Sequence, residues 1–178
     1  MTSYRQRVDL TIELAVQEWR RSVKDLSGSP DILRYYHDGL GWSWQRSYTN
    51  RRDQWCGAFV SYCWGRGGLL PDVRKYHLAS TDRLMFWASG AERLIRPGDV
   101  EAGDILLLGA GTDPTHIGLA VHRDLRGTVD SIEGNSYGML GDGTNGEGVV
   151  RHSRRLTGSG YRVLWAVRPS GADLESDK

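Results

Sequence analysis

Apolar residues recur every three or four positions near the start of the chain. Val8, Ile12, Ala15, Trp19 and Val23 carry Arg, Glu and Gln between them, and Lys24 follows. This period predicts an amphipathic helix from about Gln6 to Leu26, stopped by Ser27-Gly28-Ser29. Ser29 followed by Pro30 is a cap and first-turn signature, so a shorter helix carrying Ile32, Leu33 and Tyr36 is expected to run to about Gly39. Gly41 to Asn50 is aromatic and polar without a period and reads as a loop. A third helix is expected over Asp53-Gln54-Trp55-Cys56-Gly57-Ala58-Phe59-Val60-Ser61-Tyr62-Cys63-Trp64, with Asp53 as N-cap and Gly67-Gly68 as a left-handed stop before Pro71. Thr81 to Ser89 is one more short helix.

The pattern changes after Pro97-Gly98. Asp104 to Leu108 is a strand-like run, continuously apolar after the aspartate. Thr115 to His122 alternates, with Ile117, Leu119 and Val121 on one face and His116, Gly118 and Ala120 on the other. Thr128 to Glu133, Gly148 to Ser153 and Arg162 to Val167 bring the total to about five strands. They lie too close together for crossover helices, so the sheet is expected to be antiparallel. Helices first and sheet second is an α+β layout. Residues 1–169 are expected to form one domain, and 170–178 a charged, frayed tail.

The third helix is where chemistry concentrates. Cys56, Phe59, Val60 and Cys63 share its inward face, and Cys56 falls in the first turn. A thiol there feels the positive end of the helix dipole, which favours thiolate. Backbone N–H groups at the same end can hold an oxyanion. A base is the missing part. His116 sits one residue into its strand, on a face otherwise lined by Gly118 and Ala120, where small neighbours leave an imidazole accessible. Glu133 and Asn135 end the following strand, so one of them can fix the imidazole tautomer. A Cys, a His and an orienting carboxylate or amide form the set that thiol catalysis requires.

Other candidates carry less. Cys63 reads as a small buried hydrophobe, and His37, His77, His122 and His152 show no comparable partners. Cys56, Cys63, His77 and His116 do not come in the close pairs of a zinc site, so no metal and no cofactor is expected. Asp142-Gly143-Thr144-Asn145-Gly146-Glu147 echoes a calcium loop but has Ser153 where the twelfth-position acid belongs, and reads as a glycine-rich turn. The chain has 178 residues, 23 basic and 22 acidic, which gives a net charge of +1 and no signature of a nucleic-acid partner. The Arg51-Arg52 and Arg151–Arg155 clusters read as solvated surface. Seven tryptophans suit an aromatic core better than stacking on sugars. No apolar run approaches the roughly 20 residues of a membrane span, and the opening residues do not form a signal peptide. Two cysteines seven positions apart on one helix face are too distant for a disulfide.

Four blocks in order resemble the CHAP family, the cysteine, histidine-dependent amidohydrolases and peptidases of the papain-like, NlpC-type superfamily. They are Trp55-Cys56-Gly57-Ala58-Phe59-Val60-Ser61-Tyr62-Cys63, Ala102-Gly103-Asp104-Ile105-Leu106-Leu107-Leu108, Thr115-His116-Ile117-Gly118-Leu119-Ala120-Val121 and Ile132-Glu133-Gly134-Asn135-Ser136. The opening helices, with Ile32-Leu33-Arg34-Tyr35-Tyr36, look like phage-associated members, so the resemblance spans about residues 5 to 168. It implies a papain-like α+β fold with Cys56 as nucleophile, His116 as base, Glu133 as orienting acid and Asn135 as a further polar residue of the site. Gln54 matches a position that often supplies an oxyanion donor, and Trp55 beside it is a candidate for substrate contact.

The activity implied is hydrolysis of a peptide or amide bond in bacterial peptidoglycan. The rival readings are a catalytically idle wall-binding or virion module and a thiol amidase with an intracellular amide substrate. A wall enzyme made in the cytoplasm without a signal peptide would need delivery, by a holin as an endolysin or by a phage tail or contractile injection apparatus as an antibacterial effector. An immunity protein is then a further expected partner, and insertion into the membrane is not expected.

Overall fold

The computed structural model describes residues 2–42, 54–69, 80–124 and 126–169. The expected loop over 43–50, Asp53, Pro71, His77 and the tail 170–178 lie outside the described residues. Helix α1 spans Tyr4–Arg20 and opens with a reciprocal box, in which the Ser3 hydroxyl accepts from the Gln6 backbone and the Gln6 side chain accepts from the Ser3 backbone. It buries Val8, Thr11, Ala15 and Glu18.

The helix ends earlier than its apolar period suggested. Ser22 is left-handed at φ 54°, and the chain then runs along the edge of the sheet. Val23 O accepts from Val149 N, and Asp25 N donates to Glu147 O, each at 2.9 Å. Val23 keeps its apolar role but as an edge residue, because an edge strand's unpaired backbone groups take up the segment that would have continued the helix.

Helix α2 spans Pro30–Arg34, with Ser29 accepting from Ile32 N as expected, and runs into a π-helix over Tyr35–Gly39. This pair packs on α3, Cys56–Gly67, through Tyr35, whose ring stands 5.8 Å from Trp55, 5.4 Å from Phe59 and 5.2 Å from Tyr62. Beside it, the buried Glu18 carboxylate accepts from Tyr35 Oη and Arg34 Nη2, both at 2.7 Å, and from Arg21. Nearly every residue of α3 is buried, and Gly68 stops the helix at φ 75° as its position predicted. The capping position is Trp55, with no side-chain cap, and not Asp53. Helix α4 spans Thr81–Gly90.

One six-stranded antiparallel sheet follows the helices, in the order β1-β6-β2-β3-β4-β5. Its strands are β1 Leu94–Ile95, β2 Ile105–Gly109, β3 His116–Arg123, β4 Thr128–Met139, β5 Asn145–Arg155 and β6 Arg162–Val167. The architecture is therefore α+β, with six strands where about five were expected. The extra one, β1, has only two residues, too few for a period, and is defined by pairing with β6. Both faces of the sheet are covered. Ile105, Leu107, Ile117, Leu119, Ile132 and Val167 join the helices in the main core, while Leu106, Leu108, Ala120, Val129, Val163 and Ala166 form a second apolar layer. The fully buried β2 thus accounts for its unbroken apolar run.

Asp142 makes the β4–β5 turn by accepting from the Thr144 backbone and hydroxyl, as its glycine-rich sequence suggested. No helix among the described residues is long and apolar enough to cross a membrane.

The π-helix lies so close to α3 that a Cβ on Gly39 would stand 2.5 Å from Ala58 O and 2.7 Å from Tyr62 N. Those are backbone atoms and cannot rotate away. Gly39→Ala should therefore cost about 1–3 kcal/mol in urea unfolding. Gly90→Ala, where a Cβ meets open space, should stay within about 0.5 kcal/mol of the parent. Equal stability of the two variants would contradict this packing.

Candidate active site

Cys56 begins α3, which places its thiol at the N-terminal end of a buried twelve-residue helix. His116 is the first residue of β3, so its ring sits at one end of the sheet and meets the thiol there. Burial by itself would push the Cys56 thiol up. The hydrogen bond and charge of His116, with backbone bonds from Ile117 and Gly57, outweigh burial and hold the thiol below its ordinary value. Burial lowers His116 in turn, and its contacts with Cys56 and Glu133 overcome that and raise it to about 9. Cys63, on the same helix, lacks such partners. Burial drives its thiol well above the usual range, and both cysteines are free.

The Nε2 atom of His116 lies 3.0 Å from Glu133 Oε2, which leaves Nδ1 for the thiol. Glu133 is fully buried, and its carboxylate is saturated with donors. Arg154 clamps it with Nε on Oε1 at 2.7 Å and Nη2 on Oε2 at 2.6 Å. Ser131 donates to Oε1 at 2.6 Å and Ser136 to Oε2 at 3.4 Å. Burial alone would raise this carboxyl, but Arg154 and His116 together drive it far below the ordinary carboxylate range. It therefore remains an anion that can hold an imidazolium. Two glycines make the geometry possible. A Cβ on Gly118 would stand 2.8 Å from Glu133 Cγ, and one on Gly134 would stand 2.5 Å from the Trp55 ring. The first opens β3 to the carboxylate, and the second lets the start of α3 settle against β4.

The structure thus brings Cys56, His116 and Glu133 together. Of the two orienting candidates, Glu133 contacts the imidazole. Asn135 adopts a left-handed conformation at φ 55°, where the β4–β5 register slips between Glu133 and Ser136, and lines the open cleft instead. Gln54 is exposed and also lines that cleft. Trp55 does not. It is fully buried against Tyr35, with its Nε1 3.4 Å from Asp25, so it supports α3 and cannot meet substrate. The cleft measures about 420 Å³ and has further walls from Thr115, His152, Arg154 and Tyr161.

Two residues set aside in the sequence belong to this site. Arg154 stood in a basic cluster read as solvated surface, and His152 was read as having no comparable partner. His152 Nε2 lies 3.3 Å from Ser136 Oγ, and burial lowers this histidine so that it is neutral near pH 7. The signal was period two. In β5, Arg151, Ser153 and Arg155 are exposed, while His152 and Arg154 share the other face with Ser131 and Glu133 of β4. Among the described residues no group of three or more His, Cys, Asp or Glu side chains is arranged to hold a metal ion.

Removing Arg154 would strand a buried carboxylate beside the imidazole. Arg154→Met should destabilise the fold by about 3–5 kcal/mol in denaturant titration. Arg154→Met with Glu133→Gln should recover part of that loss, because the buried anion goes too. A double variant less stable than the sum of the singles would refute this account.

No family model matches the chain, and neither a curated protein nor a solved structure matches it, so the reading of the site rests on the thiol, imidazole and carboxylate themselves.

Proposed function

We propose that this protein is a papain-like thiol hydrolase that cleaves an amide bond of bacterial peptidoglycan, as its resemblance to the CHAP family implies. The observation that carries this reading is the line from Cys56 through His116 to Glu133, with the thiol in the first turn of a buried helix beside an open polar cleft. A buried structural cysteine has no use for an imidazole on its sulfur, nor a buried histidine for a clamped carboxylate.

In the resting site the proton lies on His116, and Cys56 is a thiolate. Its Sγ attacks the amide carbonyl and forms the C–S bond. The Cys56 backbone N–H and the Gln54 side chain stabilise the oxyanion. The C–N bond then breaks as His116 gives its proton to the leaving amine. Neutral His116 next takes a proton from water. The hydroxide so formed attacks the thioester, which releases the carboxylic acid and restores the thiolate–imidazolium pair. Glu133 keeps the ring oriented throughout and stabilises its charged form. Delivery to the cell wall by a holin or an injection apparatus, with an immunity protein in the producing cell, belongs to the same proposal.

Cys56→Ala and His116→Ala should each lower hydrolysis of purified cell walls by several orders of magnitude while leaving the fold intact. Glu133→Gln should be milder, because it disturbs orientation and not the reacting groups. Wall degradation at the parent rate by folded Cys56→Ala protein would end this reading.

The pH profile follows from the two shifts. The thiol is held low and the imidazole is raised to about 9. The reactive ion pair therefore exists below the ordinary thiol pKa of about 8.5 and is lost as pH rises through about 9. Since the two groups titrate as a unit, kcat/KM should be high near neutrality and fall on the alkaline side near that value. Iodoacetamide should label Cys56 at pH 7 and spare Cys63, as read by peptide mass spectrometry. Preferential labelling of Cys63 would reverse the assignment.

Expression in a bacterium separates the rival substrates. Lysis only when the protein is fused to an export signal, abolished by Cys56→Ala, fits a wall enzyme. Equal toxicity from the cytoplasm without released wall fragments fits an intracellular amide.

A further inference from the structure

We infer that the catalytic cleft continues past Tyr137 into an extended subsite for the peptide portion of the substrate, an inference that rests on the amide-hydrolase reading above. Three depressions lie in file. The cleft at His116, about 420 Å³, shares Asn135, Ser136 and Tyr137 with a second of about 260 Å³. That one shares Asp25, Tyr137 and Glu147 with a third of about 380 Å³, which reaches Leu26, Leu140 and Asn145. Tyr137 borders all three and is 66% exposed, which leaves a large aromatic surface open to solvent at their junction.

The groove is built on fixed backbone. Its floor is the β4–β5 hairpin, where Tyr137 pairs with Glu147. One wall is the segment after α1, bonded to β5 through Val23 and Asp25. A surface already ordered by main-chain bonds loses little entropy when a ligand arrives. Its chemistry suits a polar peptide in extended form. The side-chain amides of Asn135 and Asn145 match peptide N–H and C=O groups, and the Tyr137 ring offers apolar area to side chains between them. A small amide would fill the first depression only. A chain continuing from the scissile bond reaches the other two.

The test uses Cys56→Ala protein, which holds substrate without turning it over, and calorimetry with soluble stem peptides of two and five residues. The longer peptide should bind at least about tenfold tighter. Tyr137→Ala should erase that advantage by weakening the longer peptide far more than the dipeptide, and Asn145→Ala, at a residue that lines the third depression and neither of the other two, should weaken the longer peptide and leave dipeptide binding unchanged. Phe86→Ala, at an 85% exposed aromatic on α4 outside the groove, should change neither. Equal affinity for both peptides, or an advantage that survives Tyr137→Ala, would overturn the subsite. Tighter binding of a peptide-free N-acetylglucosamine oligomer, lost in Tyr137→Ala, would overturn the peptide assignment and give the groove to sugar. With Cys56 restored, the parent protein separates the two proposals. Length-dependent binding without hydrolysis of either peptide or of cell walls would count against the hydrolase alone, whereas hydrolysis with no dependence on length would count against the groove alone.

Discussion

The carboxylate of Glu133 is the constraint on which the site depends. A carboxylate with no solvent contact is tolerated only when charge and hydrogen bonds replace the lost water. Here the replacements come from Arg154 on β5, Ser131 and Ser136 on β4 and His116 on β3. Three neighbouring strands are therefore tied at one point. The same saturation keeps the carboxyl ionised, so one group serves stability and holds an imidazole in its charged form. A looser site would let the histidine swing toward water, and the thiol would lose the partner that keeps it low.

Helix α3 is the second element the site cannot do without. It is buried along nearly its whole length, between the Tyr35 cluster on one side and the sheet on the other. Trp55 anchors its first turn, packed on Gly134 of β4 immediately after Glu133. The start of α3 and the carboxylate are thus set by adjacent residues of one strand, Gly134 and Glu133. That rigidity suits chemistry in which the nucleophile must stay aligned with its base. The cleft above them is lined mainly by polar groups and offers hydrogen-bonding partners more than apolar surface.

The sequence was a good guide where a residue's role follows from its neighbours in the chain. Period 3.6 and capping chemistry located α1 and α2, a short helix was expected where α4 lies, and Gly68 ended α3 where a left-handed residue was needed. Alternation and apolar runs located five strands, and β6 matched its expected bounds at Arg162–Val167. Where it misled, a tertiary contact had won. The edge of β5 captured Val23–Asp25 from the end of α1, the first two-residue strand exists only through β6, and Trp55 was claimed by the core and not by the cleft.

For the site, the chain by itself determined the thiol at a helix start, the histidine at a strand start among small neighbours, and two possible orienting groups. Each of those is a local property of position and residue type. Only the tertiary structure decided between Glu133 and Asn135, because the choice depends on a register slip between β4 and β5 that turns Asn135 into the cleft. It alone recruited Arg154 and His152, about twenty residues further along the chain from Glu133, through strand pairing. Burial decided the rest. Charge balance around a carboxylate is a property of what surrounds it in space, and no spacing along a chain records how much water is left.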